Sequence, residues 1–316
     1  MDNGVDSNTA IVDNDASSTR FGFKAQEQLE NGLVVSALLE LQSESNSSSS
    51  ISFDDDSNEE SNKISERHSR IGLGTKYGTF LIGKTSDSMD GISEVDLGGV
   101  QDVMYSDITA IGGSATFVEA DGTDTTVKVS DLYANFDGSR TNLVRYDSPV
   151  LAGFSTSASV SSGGDLAMSA KYSGKIDRFK VKSSLGYKQH EASSSDVDTD
   201  MVATVSALCE ESRIGVTASY GERSFDDSAR DDASYSYYKV SYLPLESNFE
   251  YAVDYSSTKH AAAANQGKVE SYGVGTQYKI AEGVTTSAMY RELQADDAVA
   301  NAEDMKFITA GLKVKF

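Results

Sequence analysis

Period-two alternation of apolar and polar residues, repeated along almost the whole chain, narrows the fold more than any other feature. In RFGFKAQ, Phe21, Phe23 and Ala25 share one face, and Arg20, Gly22, Lys24 and Gln26 share the other. GLVVSALLELQ aligns Leu33, Val35, Ala37, Leu39 and Leu41. RFKVKSSLGYK sets Phe179, Val181, Leu185 and Tyr187 against Lys180, Lys182 and Lys188. RIGVTASY, NFEYAVDY and the final KFITAGLKVKF repeat the pattern. Successive side chains of a strand point to opposite faces, so each segment reads as an amphipathic strand of about ten residues.

The connections alternate between short and long. Tight ones fall at 29–32, 76–78, 148–153, 173–177, 210–212, 244–247 and 280–283. Long polar ones fall at 44–62, 85–138, 189–199, 222–233, 259–267 and 294–304, and 161–165 is the one short member of that set. A soluble sandwich favours strands of about 5–6 residues. A transmembrane barrel needs about 9–11, with short turns at one end and long loops at the other. The inward face also carries too many lysines for a dry core, where each unpaired charge costs several kcal/mol. The chain is therefore expected to be all-β, a single transmembrane antiparallel β-barrel over 1–316. Tyr172, Tyr187, Tyr220, Tyr242, Tyr255, Tyr278 and Tyr290 fit its interfacial girdles.

Other classes fare worse. A net charge of −22 removes the basic footprint of a nucleic-acid binder. Cys209 is the only cysteine, which excludes an intrachain disulfide and a zinc cluster. Its small side chain reads as lipid-facing, on the face of Val205 and Ala207. His68, His190 and His260 are dispersed, without metal-ligand spacing, and no cofactor is implied. His190 near the serines at 193–195 reads as incidental loop chemistry, so no enzyme is expected. YGTFLIGKTSD at 77–87 spells a phosphate-binding loop through Gly78, Gly83, Lys84 and Thr85. That loop needs a turn followed by a helix, whereas Thr79, Phe80, Leu81 and Ile82 favour a strand. No stretch has the length of a transmembrane helix, and the opening MDNGVDSNTA has no signal-peptide character.

STRFGFKAQEQLENGLVVSALLELQ resembles the second and third strands of the general Gram-negative porins, and RHSRIGLGTKYGTFLIGK their fourth and fifth. SRTNLVRYDSPVLAGF resembles the strand and turn after their pore-constricting loop, and the terminal Phe316 is similar to their assembly signal. The resemblance covers essentially the whole chain. It implies a homotrimeric, sixteen-stranded barrel in the outer membrane, whose partners are lipid, lipopolysaccharide and the outer-membrane assembly machinery. It also makes 85–138 an infolded constriction loop and 1–18 the remnant of the first extracellular loop. About fifteen strands are present, so the family's first strand is expected to be missing, along with the signal peptide. That strand should pair with 305–316, and without it two edges stay unpaired.

The expected function is passive diffusion of ions and small hydrophilic solutes through a water-filled channel. Its working parts are a width and a field. The resemblance implies a basic wall opposite the infolded loop. Arg20 and Arg67 match it, Arg140 and Arg145 follow, and Lys24 shares the Arg20 face. Lys84 is a further wall position, and Arg70 has the opposite parity from Arg67. The facing acids would come from Asp87, Asp90, Glu94, Asp96 and Asp102. Charge is also segregated, with acids in the long loops and Lys171, Lys180, Lys182, Lys188, Arg213, Lys239, Lys279, Arg291, Lys313 and Lys315 on the strands. An acidic vestibule recruits cations and a basic wall favours anions, so either preference remains open. The acidic loops could also hold divalent cations that bridge to lipopolysaccharide phosphates. Two alternatives share the fold: a solute-selective channel, in particular for anions, and a structural or adhesive surface barrel.

Overall fold

The computed structural model describes residues 1–53, 63–191, 196–227, 229–261, 267–296 and 302–316. The acidic run at 54–60 and the serines at 193–195 lie outside the described residues. The first strands are β1 (Arg20–Gln28), β2 (Val34–Glu44), β3 (Lys63–Thr75) and β4 (Gly78–Ser86). The long segment that follows holds a small hairpin, β5 (Thr116–Val118) with β6 (Asp124–Lys128), and a single helical turn, α1 (Val129–Leu132). Next come β7 (Arg140–Asp147), β8 (Phe154–Ser161), β9 (Leu166–Ile176), β10 (Phe179–Gln189) and β11 (Val197–Cys209). The last strands are β12 (Ile214–Phe225), β13 (Ala233–Tyr242), β14 (Phe249–Lys259), β15 (Lys268–Ala281), β16 (Val284–Asp296) and β17 (Met305–Val314).

All of these strands except β5 and β6 form one fifteen-stranded sheet in chain order, each antiparallel to the next. Among the described residues β1 and β17 do not pair with each other. The free edge of β17 instead meets the chain start, where Asp2 and Lys306 exchange two backbone hydrogen bonds of 2.9 and 2.7 Å.

The outward face explains the alternation. Val216, Val240, Val253, Val274, Tyr290 and Ile308 stand directly opposite one another across six successive strands. All are exposed, Ile308 by 81%. Water would make such a belt costly, whereas hydrocarbon favours it, and the strand ladders leave few backbone groups unpaired against lipid. Aromatic residues flank the belt on both sides. Tyr238, Tyr255 and Tyr272 lie toward the long loops, and Tyr251, Phe249 and Tyr278 lie toward the short turns. Cys209 ends β11 opposite Phe179 as a free thiol.

The inward face differs between its two halves. Toward the long loops it is partly apolar: Val202, Tyr235, Tyr237, Val269, Leu293, Met305 and Phe307 are buried. They pack against Met89, Phe117, Leu132 and Phe136 of the segment between β4 and β7. That segment thus has a dry underside resting on the inside of β9–β17.

Candidate pore constriction

The infolded segment is anchored first at its base. Asp87 N–H donates to the Ser139 carbonyl at 2.9 Å, which brings the two ends of the segment together. The Asp87 carboxylate accepts from the backbone N–H groups of Met89 and Asp90 and from Lys188 Nζ at 3.2 Å. Arg145 binds Asp147 at 2.7 Å and donates to the carbonyls of Ser86 and Asp87.

From there the segment crosses the barrel interior. Wall hydroxyls satisfy its backbone, as a buried polar chain requires. Ser159 Oγ accepts from Ser88 N–H, Ser184 Oγ donates to the Ile92 carbonyl, and Ser206 Oγ accepts from Leu97 N–H. Gly186 leaves the space that Met89 Sδ occupies; any Cβ there would overlap the sulfur. Lys239 Nζ meets Asp96 Oδ2 and the Met104 carbonyl, both at 2.8 Å, and Thr217 Oγ1 donates to Asp96. The Lys239 and Asp96 side chains are 1% and 6% exposed. At the far side Lys313 and Thr285 hold Asp102 at 2.5 and 2.9 Å.

Three of the acids read from the sequence as facing the arginines therefore point the other way. Asp87, Asp96 and Asp102 bind Lys188, Lys239 and Lys313 and fasten the segment to the wall it lies on. The pairing was missed because lysines on remote strands carry no local signal of which acid they meet. Asp90 does face the other side and lies 3.8 Å from Arg140. Glu94 is open to the lumen among Asp137, Asp90 and Asp107, with Arg140 opposing them. Crowding inside the barrel and these like charges raise its carboxyl to about 8; lumen water screens part of that rise. Asp137 accepts from Gly91 and Ile92 N–H and from Ser93 Oγ, which favours its charge. Burial and Asp90 outweigh this and raise it to about 7.

The basic residues read as the wall lie on β1, β3 and β7. In β3 the register against β2 shifts between Glu40 and Leu41, so Glu40 faces His68 while Leu41 faces Glu66. Arg67 is the extra residue of this bulge. A bulge resets the alternation, and it lets Arg67, His68 and Arg70 all serve the lumen face. Arg67 binds Glu40 at 3.0 Å and Gln42 at 2.7 Å, and lies within electrostatic range of Arg140 and Arg20. Arg70 lies within range of Arg145 and Asp147. Simple parity, which takes no account of the bulge, separates Arg70 from Arg67. Lys24 stands opposite Leu38, which on its other side stands opposite Arg70. Lys84 is placed differently: it follows Phe80 and Ile82, which are exposed on the outward face, whereas Leu81 and Thr85 are buried.

Two neighbouring segments also bind the infolded one. Asn14 Nδ2 donates to the Asp102 carbonyl at 2.6 Å, and Ser48 Oγ to the Ala110 carbonyl at 2.5 Å. Below the infolded segment a cavity of about 560 Å³ is lined by Glu94, Asp102, Tyr105, Glu250, Lys313 and Lys315. Phe316 follows the end of β17 and is fully exposed.

A lipid-facing sheet of amphipathic strands whose interior is narrowed by its own infolded segment defines a membrane channel. The chain belongs to the Gram-negative porin family, whose model matches residues 1–298. It is a channel of the outer membrane for diffusion of solutes, and family membership implies a channel rather than an enzyme. Among solved structures it is similar to an anion-selective porin from Comamonas acidovorans, with 15% identity and a TM-score of 0.62 over 95% of this chain and 90% of that one. It is also similar to the trimer form of OmpT from Vibrio cholerae, with 13% identity and a TM-score of 0.62 over 94% and 91%. OmpF of Salmonella typhi in complex with daunomycin gives 13% identity and a TM-score of 0.59 over 94% and 89%. No curated protein sequence matches the chain.

Proposed function

We propose that the chain acts as a homotrimeric general diffusion porin. Ions and small hydrophilic solutes pass between the infolded segment and the arginine-bearing strands. The observation that carries this reading is the row of ion pairs from Lys188 through Lys239 to Lys313, which presses the segment onto β10–β17 and leaves β1–β4 uncovered. Arg20, Lys24, Arg67, Arg140 and Arg145 then form one side of the constriction, with Arg70 added to them, and Asp90 and Glu94 form the other. The trimeric neighbour of the same fold supports the assembly state. Lipopolysaccharide around the barrel and recognition of the Phe316 end by the assembly machinery belong to the same reading.

Single-channel recording in a planar bilayer tests it. Conductance steps grouped in threes are the expected result. Complete absence of steps from folded protein would remove the channel reading and favour a structural surface barrel.

A further inference from the structure

The inward-facing cations that the infolded segment does not use lie close to one another. Arg20 and Lys24 stand on β1 and make no ion pair among the described residues, and neither does Arg70 on β3. Arg70 lies within electrostatic range of Arg145, and Arg145 of Lys171 on β9. Lys171 stands opposite Ser184 of β10, and Lys182, two residues further down β10, stands opposite Ser173. Such diagonal neighbours are about 7–8 Å apart. The next inward pair, Lys180 and Lys175, are directly opposite each other near the short-turn end, and both bind Glu210. Like charges in that position repel, and the shared carboxylate offsets the repulsion.

We propose that these residues form a continuous basic track for oxyanions. It runs from Arg20 and Lys24 on β1, past Arg70 and Lys171, to Lys182 toward the short-turn end, with the paired Arg67, Arg140, Arg145 and Lys180 beside it. The proposal rests on the channel reading above and names its preferred solutes: small anions carrying phosphate or carboxylate groups.

Three features support it. First, most carboxylates near the path are already held. Glu40 is held by Arg67, Asp147 by Arg145, Asp87 by Lys188, Asp96 by Lys239 and Asp102 by Lys313. Asp90, Glu94 and Asp137 are the acids that face the track from the segment. Second, among the described residues Arg20, Lys24, Arg70, Lys171 and Lys182 make no ion pair, and guanidinium groups match the planar geometry of carboxylate and phosphate. Third, salt screens charges beyond about 10 Å at 0.1 M, so the acidic loop tips affect the narrow part of the path far less than the track does.

The test is the reversal potential of the protein in a planar bilayer under a KCl gradient, with inorganic phosphate then added to one side. A potential of the sign for chloride permeation, with chloride current reduced by millimolar phosphate, is the expected result. The double variant Lys171→Gln and Lys182→Gln should lower the chloride-to-potassium permeability ratio, because charged side chains lining a pore set its selectivity. It should also weaken the phosphate effect. Lys76→Gln, on the turn between β3 and β4, removes a lysine charge away from the lumen and should change neither. Porin-sized steps with a potassium-signed potential, or a double variant indistinguishable from Lys76→Gln, would overturn the track and leave the channel standing. Folded protein that gives no steps would overturn the channel reading and the track together.

Discussion

Replacing Asp96 with asparagine tests how the constriction is held in place. Lys239 Nζ has two partners, Asp96 Oδ2 and the Met104 carbonyl, and its side chain is 1% exposed. The substitution keeps the shape of Asp96 and removes its charge. The ammonium then stays in a nearly dry contact with neutral groups only. Removing one member of a buried ion pair costs about 3–5 kcal/mol. Lys239 lies on a wall strand fixed by two ladders, whereas Asp96 lies on a segment that can lift away. The cost therefore falls on docking of residues 94–104 and leaves the barrel intact. An energy of about 4 kcal/mol multiplies the undocked population by about a thousand.

Hydrogen exchange reads that population. Leu97 N–H is held by Ser206 Oγ, Gly98 N–H by Asp96 Oδ1, and Met104 N–H by the Val100 carbonyl. Exchange at these amides should speed up sharply in Asp96→Asn, while strand amides of β12 and β13 stay protected. Current noise should increase in parallel. Lys239→Met alone leaves the Asp96 carboxylate buried and should have a comparable effect. The two changes together should recover most of the loss, because the charges disappear as a pair. Unchanged exchange at residues 97–104, or simple additivity of the two variants, would refute the reasoning.

Other measurements reach different parts of the structure. Glu94 is raised from 4.5 to about 8, so the docked state retains a proton that a released segment gives up; docking should be firmest at low pH and weaken as pH rises from about 4.5 to 8, as hydrogen exchange over that range would show. Ionisation of Glu94 also adds negative charge facing Arg140, so chloride preference should fall with pH, and Glu94→Gln should flatten that dependence. Arg70→Ser should change ion selectivity, whereas Lys84→Ser should not, because only Arg70 shares the lumen face. Val240→Arg places a charge in the apolar belt and should cost about 2–4 kcal/mol in a refolding titration, as at the midplane of other barrels.

The alternation made the strands legible because one face meets lipid and the other meets water or the infolded segment. Residues such as Val216, Val253 and Ile308 had no other use. Turns and loops were readable for the same reason. The bulge at Arg67 was not, since inserting one residue into a ladder leaves no mark on composition and inverts every parity inference beyond it. The dry half of the interior was also hidden. Tyr235 and Tyr237 alternate with Ser234, Ser236 and Tyr238, so sequence does not tell whether they face lipid or the inner surface. They turn inward because the infolded segment brings Phe136 and Tyr133 against Tyr235, at centroid distances of 6.3 and 6.1 Å.

The same limit governs the charges. A chain with a net charge of −22 looks suited to cations, and a lysine-rich wall looks suited to anions. Both readings treat charges as if each acted alone. A carboxylate held at ion-pair distance by an ammonium sends little field into the lumen, and the same is true of its partner. Asp96 and Lys239 cancel in this way, as do Asp254 and Arg291, whose side chains are 2.8 Å apart and almost wholly buried. The field that a passing solute meets comes from groups left over after pairing. Among the described residues, the unpaired cations on the open side are Arg20, Lys24, Arg70, Lys171 and Lys182, faced by the unpaired Glu94 and Asp137, so an acidic protein can still present a basic wall.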